Sequence, residues 1–138
     1  MITQVDEALC LLIAPHLPEG TLVRLDPPKP TWQTETQVSS VDLFLFALHG
    51  AGPATGAVRG KKCELSYLVT ARADKVRDEH TLLDRSLQVL LGTEFLMADA
   101  QPLRLALGET DPTGLWVSLG LPARAAFVVT VTAEYPRG

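Results

Sequence analysis

The 138-residue chain sets 12 Lys and Arg against 16 Asp and Glu, a net charge of −4, and is 46% hydrophobic. Such a balance excludes an intrinsically disordered chain and argues against nucleic acid as a partner, because phosphate binding needs clustered cations. With aromatics at only 6%, the core must be aliphatic, and one domain over residues 1–138 is expected.

Ile2, Val5, Leu9, Leu12 and Ile13 recur at helical spacing and predict a helix from Gln4 to about Ala14. Thr3 and Asp6 have the spacing of a capping box, and Pro15 with Pro18-Glu19-Gly20 ends the helix. Cys10 and Cys63 read as buried free thiols, since neither has a partner at metal-ligand spacing. Asp6 and Glu7 precede the apolar run, unlike the basic start of a signal peptide, and no apolar stretch is long enough for a membrane span. The expectation is a cytosolic protein without a membrane partner.

Thr21–Leu25 reads as a short strand. Asp26-Pro27-Pro28-Lys29-Pro30 then holds the chain extended along the surface, toward Trp32. Residues 33–40 are polar and suit a loop or weak edge strand. Val41–Leu48 is apolar on both faces, with Val41, Leu43, Leu45 and Ala47 on one and Phe44, Phe46 and Leu48 on the other, as in a central strand. A glycine-rich loop from His49 to Lys62 follows. Cys63–Arg72 alternates, with Cys63, Leu65, Tyr67, Val69 and Ala71 facing inward, and antiparallel pairing with the previous strand is expected.

Asp78 is the natural N-cap of a second helix with Leu83, Leu87, Leu90 and Leu91 as its buried stripe and Gly92 just beyond its end. Pro102–Leu107 predicts a strand. Asp111-Pro112 opens a short helix carrying Leu115, Trp116 and Leu119, which Gly120 ends. Ala125–Ala133 closes the chain as a β-branched strand with Phe127, Val129 and Val131 on one face. The expected fold is α+β: one mixed, mostly antiparallel sheet with helices mainly on one face.

His49-Gly50-Ala51-Gly52 after an apolar strand has the look of an oxyanion-binding loop. No nucleophile elbow accompanies it, because Trp116-Val117-Ser118-Leu119-Gly120 has Trp where the first glycine belongs. The spacing of Gly56 and Gly60 is one residue short of a P-loop, and a strand follows Lys61 instead of a helix. His80 and Asp84 share a helix face but lack a third ligand, which favours a solvated face over a metal site. Asp42 opens its strand and is expected at the rim. The pattern therefore points to no catalytic set, no metal and no cofactor. The residues best suited to touching a protein partner are Trp32, His49, Arg59, Lys61 and Lys62, which lie in the two long connections that core packing does not explain.

LDPPKPTW (Leu25 to Trp32), VDLFLFAL (Val41 to Leu48), CELSYLVTARADKVRDEHTLLDRSLQVL (Cys63 to Leu90) and GLWVSLG (Gly114 to Gly120) occur in that order before a final strand. In this the chain resembles the N-terminal domain of the cap, or tail-terminator, proteins of extracellular contractile injection systems, the antifeeding-prophage and virulence-cassette particles. LSYLVTA followed by EHxLLxR is its most specific part. Asp42 departs from the Asn expected before the central strand, and many relatives continue into a C-terminal extension whose contacts do not carry over. The resemblance implies a structural protein that forms a ring, a homohexamer, on the terminal tube and sheath discs and stops their growth. It also implies assembly in the bacterial cytoplasm into a particle that is later released. Two other readings remain: a small-molecule-binding or degenerate hydrolase domain using the His49 loop, and an adaptor for cargo or baseplate parts.

Overall fold

The computed structural model describes residues 1–29, 38–54 and 60–136. In chain order, α1 (Ile2–Ile13) runs through a short 3₁₀ turn into β1 (Leu22–Arg24), β2 (Ser40–Pro53) and β3 (Gly60–Arg72). Then come α2 (Val76–Leu91), β4 (Phe95–Ala98), β5 (Gln101–Leu107), α3 (Thr113–Leu119) and β6 (Phe127–Pro136). The strands form one sheet in the order β1-β2-β3-β6-β5-β4. Among the described residues only the β1–β2 pair is parallel, so the fold is the expected α+β with a mixed, mostly antiparallel sheet. The final strand β6 lies in the interior of the sheet, inserted between β3 and β5.

Period-two alternation in β3 and β6 sends one set of side chains into the main core. Leu65, Tyr67, Val69 and Ala71 meet Val129, Val131 and Ala133 there, beneath Val5, Leu9 and Ile13 of α1 and Leu82 and Leu90 of α2. The Tyr67 hydroxyl, whose pKa burial pushes well above the usual range, donates to Asp6 Oδ1 of α1 at 2.5 Å. Asp6 thus ties helix to sheet. The expected capping box is absent: Met1 is the N-cap without a side-chain bond, and Thr3 lies inside the helix. A second, smaller cluster lies on the other face, where Trp116, Leu115 and Leu121 cover Leu68, Val128, Phe44 and Phe46. Trp116 is therefore a core residue, but of the minor cluster.

Four expectations need correction. A register shift between Leu45 and Ala47 places Leu48 opposite Leu65, on the main-core face, and Ala47 opposite Ser66 on the other. The extra residue at Phe46 is a β-bulge, which reverses the alternation that the sequence suggested. Lys75, not Asp78, is the N-cap of α2, whose buried residues are Leu82, Ser86 and Leu90, while Leu91 is 64% exposed. Gly92 caps that helix with φ −83°, so no left-handed residue ends it. Gly120 does end α3 with φ 66°, as its position suggested.

The fourth correction is Asp42. Instead of lying at the rim it is completely buried. The Ser40 hydroxyl donates to Asp42 Oδ2 at 3.0 Å and Arg72 Nε to the same oxygen at 3.4 Å. Arg24 Nε lies 3.5 Å from Oδ1, close enough to attract but not directed as a hydrogen bond. Burial pushes the Asp42 carboxyl up to about 6, against the pull of Ser40 and Arg24 and with a push from Asp26. This cluster pins the parallel strand β1 to the end of the β2–β3 pair.

One strand, β4, has no counterpart in the sequence reading. It pairs with β5 through a tight turn whose residues Asp99 and Ala100 have φ 51° and 60°. Two positive φ values mark the type I′ geometry that fits the twist of a two-residue hairpin. Alanine is a costly occupant of that conformation. Ala100→Gly is expected to stabilise the protein by about 0.5–1 kcal/mol, read as a higher denaturant midpoint.

Candidate protein-interaction surface

The described residues of the segment expected to be a glycine-rich loop are mostly strand. β2 continues to Pro53 and β3 begins at Gly60, with His49 opposite Glu64, Gly50 opposite Cys63 and Pro53 opposite Lys61. A second register shift between Gly50 and Pro53 accompanies Gly52 at φ 91°, a conformation that favours glycine. β6 follows this pair to its end, with Lys62 opposite Glu134 and Lys61 opposite Tyr135. β5 pairs with β6 only from Val129 to Thr132. The outer parts of β2, β3 and β6 therefore form an arm that leaves the body of the sheet.

His49, Lys61 and Lys62 all lie on this arm, His49 and Lys61 exposed and Lys62 half-buried. Strand alternation puts His49 and Lys62 on the face shared with Glu64, and Lys61 on the opposite face. The two lysines make no ion pair among the described residues. Trp32 and Arg59 lie outside the described residues.

As strand residues, His49 and Gly50 do not form the loop that the hydrolase reading requires. A cleft of about 290 Å³ lies elsewhere, lined by Pro28, His80, Trp116 and the Glu79–Arg124 pair, whose Nη2–Oε2 distance is 3.2 Å. It opens at the start of α2, beyond the Arg72 end of β3, away from His49.

The open part of the sheet offers more. Beyond the reach of α3, one row of side chains crosses five strands: Phe95, Arg104, Thr132, Glu64 and His49. Phe95 is 49% exposed and its strand neighbour Met97 60%, and both belong to the edge strand β4. Glu94 and Asp99 flank them, exposed and without an ion pair among the described residues. The sequence reading missed this edge. Its only signal was the alternation of Leu96 and Ala98 with Leu103 and Leu105 around a turn that lacks Asn-Gly or Asp-Gly.

The overall fold has counterparts among solved structures. The chain superposes over 100% of its length on the sheath/tube terminator of an extracellular contractile injection system, PVC, in its extended state, with a TM-score of 0.73 at 18% identity. It likewise superposes over 100% of its length on the tube-terminating cap of the anti-feeding prophage, with a TM-score of 0.64 at 17% identity. The chain has the tail-terminator fold. It spans 57% and 56% of those two chains, little more than half of each. No protein-family model and no curated protein sequence matches it.

Proposed function

We propose that this chain caps a contractile, phage-tail-like injection particle, forming a homohexameric ring on the last tube and sheath discs and ending their growth. The observation that carries this reading is the superposition of the whole chain on a sheath/tube terminator. The sequence resemblance supports it independently. The role is structural. A ring seated on the terminal discs occupies the surface on which the next disc would add, so removing it leaves an open, growing end. No described helix is long and apolar enough to cross a membrane, and assembly in the bacterial cytoplasm before release of the particle fits this role.

Deleting the gene is expected to leave baseplates intact while tails vary in length or lose end closure, as seen in electron micrographs of purified particles. Normal particles of normal length from the deletion strain would overturn the cap reading.

A further inference from the structure

We infer that neighbouring copies of this chain join arm to edge: the β2–β3 arm of one copy, led by Lys61, docks on the partly apolar β4 edge of the next, led by Glu94 and Asp99. This rests on the cap reading, which calls for a ring, and supplies the surfaces that close it. The arm presents Lys61 and Lys62, with Leu48 and Tyr135 as exposed apolar neighbours. The edge presents Glu94 and Asp99 around Phe95 and Met97. Neither pair of charges has an ion-pair partner among the described residues of its own chain. Glu64 and Glu134 also lie on the arm, and Arg104 beside the edge; these three sit on one face, to which strand alternation also assigns Lys62. Lys61 on the opposite face remains free of that group.

Topology keeps the two surfaces apart within one molecule. β6 and β5 stand between the arm strands and β4, so an arm cannot fold back onto its own edge. Two different, complementary patches make a head-to-tail contact, which generates a ring when the rotation closes. Opposite charge between Lys61 and the Glu94–Asp99 pair favours this register over contacts that would place Lys61 on Lys61 or Glu94 on Glu94. Phe95 and Met97 supply the apolar centre that such a contact needs.

The test uses charge reversal on the full chain, read by analytical ultracentrifugation. Lys61→Glu with Lys62→Glu makes the arm acidic like the edge, and Glu94→Lys with Asp99→Asn gives the edge the positive sign of Lys61; Asn is chosen because it tolerates the left-handed backbone of Asp99. Each variant alone is expected to self-associate at least about tenfold more weakly than wild type, with its melting temperature unchanged. An equimolar mixture is expected to re-form rings with even numbers of copies, the two variants alternating. Wild-type protein that stays monomeric at the highest attainable concentration overturns the docking. So do variants that assemble like wild type, or a mixture that fails to assemble. Tail length in the deletion strain separates the two ideas: uncontrolled length with failed charge exchange retains the cap and removes this interface, whereas normal length removes the cap.

Discussion

Leu82→Asp is expected to leave the chain unfolded or aggregated at 25 °C, while Leu91→Asp keeps a melting temperature close to wild type. Leu82 is buried among the main-core residues between α2 and the sheet, whereas Leu91 is 64% exposed. A carboxylate at position 82 enters the main apolar core and must either stay charged there or take up a proton at neutral pH. Either route costs several kcal/mol, a large share of the stability of a domain this size. Leu87→Asp should fall between the two, because that side chain is half-buried and outside the main core cluster. Circular dichroism melts of the three variants check the order, and equal melting temperatures would show that α2 presents another face.

Arg72→Leu is expected to cost about 3–5 kcal/mol at pH 7, because it removes a buried partner and leaves Asp42 as a poorly compensated charge. The sign of the pH dependence follows from the carboxyl. Burial raises the folded-state value of Asp42 to about 6, above its ordinary value of 3.8. A proton on Asp42 is thus held more tightly in the folded state, so this group's contribution is fully present below pH 3.8 and is lost as pH rises through 6. Losing Arg72 takes away an interaction that favours the carboxylate and raises that value further. The deficit of the variant should therefore be greatest near pH 7, shrink as the pH falls toward about 6 and change little below it. Urea titrations at pH 5 and pH 7.5 measure it, and a pH-independent deficit would mean that lost Arg72 packing, not the orphaned carboxylate, carries the cost.

Strands whose pattern is period two with β-branched residues were legible. Leu65 to Ala71 and Val129 to Ala133 fall on the face assigned to them, because alternation is a direct consequence of pleat geometry. Boundaries and faces failed where one residue changes parity or where leucines crowd a helix. α2 offers leucines at 82, 83, 87, 90 and 91, and more than one stripe can be drawn through them. The true stripe includes Ser86, a polar residue whose hydroxyl donates to Leu82 O at 2.9 Å and so needs no water. The bulge at Phe46 and the Asp42–Arg72–Arg24 cluster depend on pairing between distant segments, which no local pattern carries.

The segments that carry the proposed interaction surface were half legible. His49, Lys61 and Lys62 stood out as polar residues in a glycine-rich stretch, but glycine concealed the strand character that makes their segment an arm. Glu94 and Phe95 were invisible as a site because β4 is four residues long and its turn residues, Asp99 and Ala100, are not a recognised hairpin pair. Pairing with β5 and packing of Leu96 and Ala98 into the main core make that strand, more than its own propensity does.

The place of β6 in the sheet has a consequence for biosynthesis. Translation delivers β3, α2, β4 and β5 before any residue of β6, yet β6 is the strand that joins β3 to β5. Until Phe127–Pro136 clears the ribosome, no strand is available to join the β2–β3 pair to the β4–β5 pair, and β3 and β5 each lack a neighbour on one side. The β2–β3 pair can zip early because its strands are near neighbours, whereas the sheet closes only in a late step. During that interval the bare flanks of β3 and β5 are templates for strands of neighbouring nascent chains on the same message. Slow translation or thermal stress over the last codons of the domain should therefore lower soluble yield more than the stability of the finished fold would suggest.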